Sequence, residues 1–250
     1  MTCARPCLRV LNTRPTEDAA ELYKLLGEIG YEVISEPLLI VRFNGSNPPP
    51  INSFQAVLFT SRNGVRAFAH ASDERDTMAF AVGDATSREA EIIGFNEVQN
   101  AAGNLENLVA LVMAQLNPSD GPLLHISANV VAGDLSNRLN AAGFDVENSV
   151  LYETVASKKL STRTKKLLKN NKLDVIVLFS PRTARTLVDL LKQAELLDFC
   201  KSLIVVCLSE AVAVEVSDIA GVSILTANEP NLESVLQMFR GIYCGDFESG

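Results

Sequence analysis

Val57-Leu58-Phe59-Thr60-Ser61-Arg62-Asn63-Gly64-Val65-Arg66 returns further along the chain as Val177-Leu178-Phe179-Ser180-Pro181-Arg182-Thr183-Ala184-Arg185. Each copy is a run of β-branched and aromatic residues that stops at small hydroxyl side chains and an arginine, where helical spacing of apolar residues begins. A second echo supports the first. Leu11-Asn12-Thr13-Arg14 leads through an apolar helix to Gly30-Tyr31-Glu32-Val33, as Leu124-His125-Ile126-Ser127 leads to Gly143-Phe144-Asp145-Val146. The pattern implies two similar α/β halves whose polar strand ends can face each other across a cleft.

At 250 residues the chain exceeds the usual single-domain size, and 47% hydrophobic residues are enough for two cores. A formal charge of -8 argues against nonspecific binding to nucleic acid or to an anionic membrane, both of which need an excess of Lys and Arg. An anionic ligand must then be held by local geometry. No apolar run reaches the ~18 residues that span a bilayer, and the start of the chain has a charged strand pattern where a secretory segment would be apolar. A soluble, cytoplasmic protein is expected. Five cysteines without a C-x-x-C pair suggest free thiols, and two distant histidines make a metal site or a Ser-His-Asp triad improbable.

Periodicity predicts a strand over 8–12, a helix carrying Leu22, Leu25, Leu26 and Ile29 that Gly30 stops, and a second strand over 31–35. From there strands are expected at 55–60, 79–82, 97–99, 122–126 and 145–151, with helices at 62–70, 84–93, 104–116 and 130–142 between them. After a basic helix over 161–169, three more strands follow at 174–179, 203–207 and 222–225, each with a helix after it. The tail from Tyr243 reads as disordered. Alternation of this kind means parallel sheets with helices on both faces. The extended segments 37–44 and 151–158 look like a pair of crossings between domains. On that reading 1–37 with 154–250 form one five-stranded domain, 40–150 form the other as an insertion, and the two crossings make a hinge.

In an open parallel sheet the ligand lies beyond the carboxyl ends of the strands, where helix N-termini present unpaired N–H groups. Those positions read Thr13-Arg14, Thr60-Ser61-Arg62-Asn63, Gly83-Asp84-Ala85-Thr86, Ser127-Ala128-Asn129, Ser180-Pro181-Arg182 and Ser209-Glu210. Any one of them can be read as a plain helix cap. Six of them with arginines interleaved favour an anion-binding cleft. Neither G-x-x-x-x-G-K-[ST] nor G-x-G-x-x-G occurs, and there is no nucleophile elbow.

Taken together, Thr13-Arg14-Pro15, Phe59-Thr60-Ser61-Arg62-Asn63-Gly64-Val65, Ala81-Val82-Gly83-Asp84-Ala85-Thr86, the strand ending in Tyr152, and Phe179-Ser180-Pro181 resemble the uroporphyrinogen-III synthase family, in that family's order. The resemblance implies an α/β fold of two flavodoxin-like parallel-sheet domains joined by a two-stranded β ladder, with the active site between them. It implies cyclisation of the linear tetrapyrrole hydroxymethylbilane to uroporphyrinogen III, with inversion of ring D and loss of water, in haem biosynthesis, without metal or cofactor. It further implies a monomer that makes transient contact with hydroxymethylbilane synthase, the supplier of its substrate.

By the same resemblance Tyr152 is the expected general acid. A phenol of pKa near 10 is protonated at neutral pH and can donate to a departing hydroxyl. Thr86 matches the family's hydroxyl in its motif and either assists or caps its helix. Arg14, Thr60, Ser61, Asn63, Gly83, Ser127, Ser180, Arg182 and Ser209 are expected to bind substrate, and Arg62, Arg66 and Arg185 are further candidates for its carboxylates. The chain departs from the family at Cys207-Leu208-Ser209-Glu210, where a glycine and a threonine pair are usual. Two parallel α/β domains with paired crossings also describe periplasmic-type small-molecule sensors, and that is the competing reading.

Overall fold

The computed structural model describes residues 7–129 and 134–244. In chain order its elements are β1 (Arg9–Asn12), α1 (Thr16–Ile29), β2 (Glu32–Ser35), β3 (Leu39–Phe43), β4 (Ala56–Phe59), α2 (Arg62–Ala71), β5 (Met78–Ala81), α3 (Asp84–Ile92), β6 (Val98–Asn100) and α4 (Leu105–Gln115). There follow β7 (Leu123–Ala128), α5 (Leu135–Ala141), β8 (Val146–Ala156), α6 (Thr162–Lys169), β9 (Val175–Leu178), α7 (Pro181–Gln193), β10 (Ile204–Cys207), α8 (Glu210–Val214), β11 (Ser223–Thr226) and α9 (Leu232–Cys244). The chain forms two compact units, one of residues 1–40 and 155–250, the other of 41–154.

In the first unit the strand order is β2-β1-β9-β10-β11, all parallel. Successive residues of each strand feed opposite faces, as the pleat requires. Val10, Val33, Val175 and Val177 pack with Leu22 and Leu26 of α1 and Phe239 of α9. Their neighbours Leu11, Ile34, Ile176 and Leu178 pack with Leu187 and Leu191 of α7 on the other side. Such strands are buried on both faces, which is why they read as unbroken apolar runs. At the end of α1, Gly30 takes the left-handed conformation (φ 113°), and its N–H bonds the carbonyls of Leu26 and Gly27.

In the second unit the order is β3-β8-β7-β4-β5-β6. Phe59, Val57, Leu124 and Ile126 face Val65 and Phe68 of α2, while Leu58, Phe80 and Leu123 face Leu108 of α4 and Leu139 of α5. Helix α2 is set by Ser61, whose Oγ accepts the Gly64 N–H at 3.1 Å. Gly64 also lets the helix approach β7: a Cβ there would lie 3.3 Å from the Ile126 carbonyl oxygen.

The two parallel sheets have the same spatial order with different chain order. Numbered by the sequence echoes, β1, β2, β9, β10 and β11 correspond to β7, β8, β4, β5 and β6, and each set then runs 2-1-3-4-5, the flavodoxin order. The second unit is thus a circular permutation of the first. The extra strand β3 sits at its edge beside β8, with Asn44 N–H donating to the Leu151 carbonyl at 3.0 Å.

Three expectations are corrected. Strand β8 does not stop at 151 but runs on to Ala156 through the segment 151–158 expected to be extended, where β3, from the expected segment 37–44, is its partner, so Tyr152 lies inside the strand. Helix α5 begins at Leu135, after a non-helical Asp134 (φ -118°, ψ 40°); the earlier part of the expected helix, 130–133, lies outside the described residues. Tyr243 is helical, its ring 5.6 Å from that of Tyr31 in an edge contact; the rest of the expected tail, 245–250, lies outside the described residues.

Candidate active site

The direction of strand succession reverses between β1 and β9 in one unit and between β7 and β4 in the other. Crevices open at such points, beyond the carboxyl ends of the strands. The expected site residues lie at or near strand ends and helix starts, some beside these points and others, Gly83, Thr86 and Ser209, further along the sheets, and each unit is described in turn.

In the second unit Thr60 and Ser61 follow β4, Ser127 lies on β7, Tyr152 on β8, and Gly83 and Thr86 follow β5. Tyr152 is buried, and its hydroxyl lies 2.8 Å from Ser61 Oγ. Ser61 therefore does two things at once: it caps α2 and holds the phenol. Burial pushes the Tyr152 pKa up, and the bond to Ser61 offsets only part of that rise. The phenol keeps its proton at neutral pH. Among the described residues two buried side-chain oxygens have no hydrogen-bond partner, Asn63 Oδ1 on α2 and Ser127 Oγ on β7. Leaving such groups unpaired costs about 1–3 kcal/mol each, a cost that a bound polar ligand removes.

Thr86 is buried at the start of α3, with its N–H on the Gly83 carbonyl at 3.0 Å. Strands β5 and β8 are three spacings apart in the sheet, about 14 Å, and Thr86 stands at the start of the helix that follows β5. Gly83 has extended backbone (φ -173°), which any residue can adopt, and a Cβ there would meet the Gly103 carbonyl oxygen only at 3.6 Å.

In the first unit Arg14 lies over the Phe179 ring, 4.5 Å from its centroid, which brings the ends of β1 and β9 together. Ser180 Oγ accepts the Thr183 N–H at 3.1 Å and lies 2.8 Å from Thr183 Oγ1, so its observed role is to cap α7. Arg182 is exposed in the first turn of that helix. Ser209 precedes α8 with no capping bond from its side chain.

Two of the further arginines are committed elsewhere. Arg66 makes a fork to both oxygens of Glu89 at 2.9 Å, joining α2 to α3, and Arg185 Nε is 2.9 Å from Glu215. Each of these guanidinium groups thus already faces a protein carboxylate, Arg66 in a half-buried pair and Arg185 in an exposed one. Spacing alone does not reveal a polar chain through His125, which is 1% exposed. Its Nδ1 is 2.8 Å from Asn148 Oδ1 and its Nε2 is 3.5 Å from Thr60 Oγ1. One signal was available: the second echo aligns His125 with Asn12, the buried polar residue of β1.

Among the described residues no helix is long and apolar enough to cross a membrane, and no three metal-ligating side chains cluster. The family model for uroporphyrinogen-III synthase HemD matches residues 20–237. Among solved structures, the fold is similar to uroporphyrinogen-III synthetase from Helicobacter pylori (TM-score 0.63, 15% identity, 95% of this chain and 100% of that one). It is also similar to a mutant uroporphyrinogen III synthase from Thermus thermophilus (TM-score 0.55, 14% identity, 96% of this chain and 100% of that one). A search of curated proteins finds no match. With the family model spanning most of its length, and its parallel sheets and site motifs in that family's order, the chain belongs to the uroporphyrinogen-III synthase family.

Proposed function

We propose that this chain converts hydroxymethylbilane to uroporphyrinogen III, closing the macrocycle with inversion of ring D and release of water. The observation that carries the reading is the family match over residues 20–237. The geometry around Tyr152 within β8 supports it.

Loss of the hydroxyl as water leaves an azafulvene, which ring D can attack at either of two positions. The less hindered closure gives the symmetric type I isomer, so the enzyme must impose attack from the substituted position through a spiro intermediate. That is a task of orientation, worth up to about 7–11 kcal/mol in favourable intramolecular cases. Departure of hydroxide from carbon needs a proton, and the Tyr152 phenol supplies it. Gly64 N–H donates to Ser61 Oγ. Ser61 Oγ is 2.8 Å from the Tyr152 oxygen; in this reading the serine O–H is the donor of that bond, which frees the phenolic O–H to point at the leaving group. As that proton moves, the Ser61 hydrogen bond strengthens on the developing phenolate.

Asn63 Oδ1 and Ser127 Oγ are acceptors for polar hydrogens of the substrate, and Thr60 completes that wall. Helix α3 starts at Gly83 without a capping side chain, so its first N–H groups serve an acetate or propionate arm despite the net negative charge of the protein. Thr86, three strands from Tyr152, acts on a different part of an extended tetrapyrrole. In the first unit Arg14, Ser180, Arg182 and Ser209 contribute to holding the remaining arms. Dehydration and ring closure need an acid and a fixed pose, so the reaction runs without metal or cofactor, and dialysis against chelator leaves the rate unchanged. The protein works as a cytoplasmic monomer that receives its unstable substrate in transient contact with hydroxymethylbilane synthase. Incubation with enzymatically generated hydroxymethylbilane, followed by oxidation and chromatography of the porphyrins, tests the reading. A type III product supports it, and binding without turnover would favour the sensor.

A further inference from the structure

The proposed acid chemistry does not use a polar chain of the second unit that passes through buried His125 from a partly exposed outer end to the crevice wall at Thr60. It runs from Ser136 on α5 through Asn148 on β8 and His125 on β7 to Thr60 at the end of β4. In the register His125 stands between Asn148 of β8 and Leu58 of β4, on the face that carries α4 and α5. Tyr152 belongs to the core cluster of the other face.

The hydrogen bonds fix the direction of the chain. Asn148 Oδ1 accepts from Ser136 Oγ at 2.9 Å and lies 2.8 Å from His125 Nδ1. An oxygen that meets both groups is an acceptor for both, so Nδ1 carries the hydrogen. Burial lowers the imidazole pKa, which leaves the ring neutral and Nε2 without a hydrogen. Nε2 is therefore an acceptor, and the Thr60 hydroxyl at 3.5 Å is the donor that faces it. A threonine has a single O–H. Once that hydrogen points back at Nε2, the lone pairs of Thr60 are what the crevice sees.

We propose that His125, held by Asn148 and Ser136, is a positioning residue that presents the Thr60 hydroxyl as a hydrogen-bond acceptor for a pyrrole N–H of the substrate. This rests on the tetrapyrrole reading above. A pyrrole ring offers one donor and no acceptor at nitrogen, whereas the acetate and propionate arms offer acceptors only. Thr60 polarised this way attracts a ring nitrogen and turns carboxylates away, so His125 helps decide which part of the chain lies against β4.

Three measurements test it. The first is the ¹⁵N spectrum of the imidazole in the intact protein. The expected state is neutral with hydrogen on Nδ1, opposite to the tautomer favoured by histidine free in water; hydrogen on Nε2 overturns the proposal whatever the protein catalyses. The second is a set of three variants. His125→Gln keeps an acceptor near the Nε2 position, and its KM stays close to wild type. His125→Phe fills the space without an acceptor, and Thr60→Val removes the hydroxyl at constant shape. Both of these raise KM several-fold, up to about ten-fold for one hydrogen bond, with a smaller change in kcat. Equal losses in His125→Gln and His125→Phe, or an unchanged KM in Thr60→Val, overturn the proposal. Should His125→Phe fail to fold, the Thr60→Val result and the tautomer still decide it. The third is the isomer of the wild-type product. Failure to make type III overturns the tetrapyrrole reading and with it the assignment of pyrrole, while the tautomer result separately reports whether the polar chain is built as described.

Discussion

Replacing Tyr152 by Phe removes one hydroxyl and keeps the ring that packs against the α2 face of the sheet. Its partner Ser61 still accepts the Gly64 N–H at 3.1 Å, and its own O–H, on a side chain that is only partly buried, can turn to water. The stability cost is then that of one neutral hydrogen bond, about 0.5–1.5 kcal/mol. Ser61→Ala is the informative contrast. It removes the cap of α2, about 0.5–2 kcal/mol, and leaves the buried Tyr152 hydroxyl without Ser61, about 1–3 kcal/mol more. Thermal or urea unfolding should therefore rank wild type above Tyr152→Phe above Ser61→Ala. The rate should rank differently. General-acid catalysis contributes roughly 10²–10⁴, so Tyr152→Phe, the more stable variant, should lose at least ten-fold in hydroxymethylbilane turnover, and Ser61→Ala less, since the phenol remains. What Tyr152→Phe still makes should be mainly type III, because the pose comes from the rest of the crevice. Full rate in folded Tyr152→Phe removes the phenol from the mechanism. A switch to type I product means that it orients the chain and is not the acid.

Other outcomes follow from groups around the two cores. His125 has a lowered pKa when folded, so the unfolded chain binds its proton first; stability is present above about pH 6.5 and falls as pH drops through the lower folded value. Urea midpoints between pH 7 and pH 5 should show the fall, and His125→Gln should flatten it. Burial pushes the thiols of Cys200 and Cys207 up to about 11 and about 12, so iodoacetamide at pH 8 should modify exposed Cys7 and spare both, as read by peptide mass spectrometry. Gly30→Ala places a Cβ at a left-handed position and 2.7 Å from the Tyr243 hydroxyl. About 1–2 kcal/mol should be lost from the backbone alone, and an unchanged melting temperature would contradict the C-terminal geometry of α1.

The fold was legible because parallel strands buried on both faces leave long apolar runs, and because the chain repeats itself. The order of the repeat was not legible. The echo of β4 with β9 and that of β1 with β7 cross each other along the chain, which makes sense only once the strand orders show a circular permutation. Periodicity places the end of β8 at 151 because its last residues owe their strand conformation to β3, more than a hundred residues earlier in the chain. At the site, Tyr152 and Ser61 could each be picked out from their motifs. Their hydrogen bond could not, since it joins residues on different strands through a turn whose geometry periodicity does not encode. For Arg66, only the packing of α2 on α3 reveals its pair with Glu89, which no local spacing encodes. His125 was overlooked because a lone histidine in an apolar strand carries no spacing signal.

The central claim is that these residues impose an isomer the uncatalysed reaction does not give. Hydroxymethylbilane generated enzymatically in the presence of the protein, oxidised and resolved by chromatography, reads this directly against a control with heat-denatured protein. The account predicts faster disappearance of substrate and a product that is overwhelmingly type III in the native sample, with type I in the control. Type I porphyrin in both samples, formed at the same rate, would contradict it.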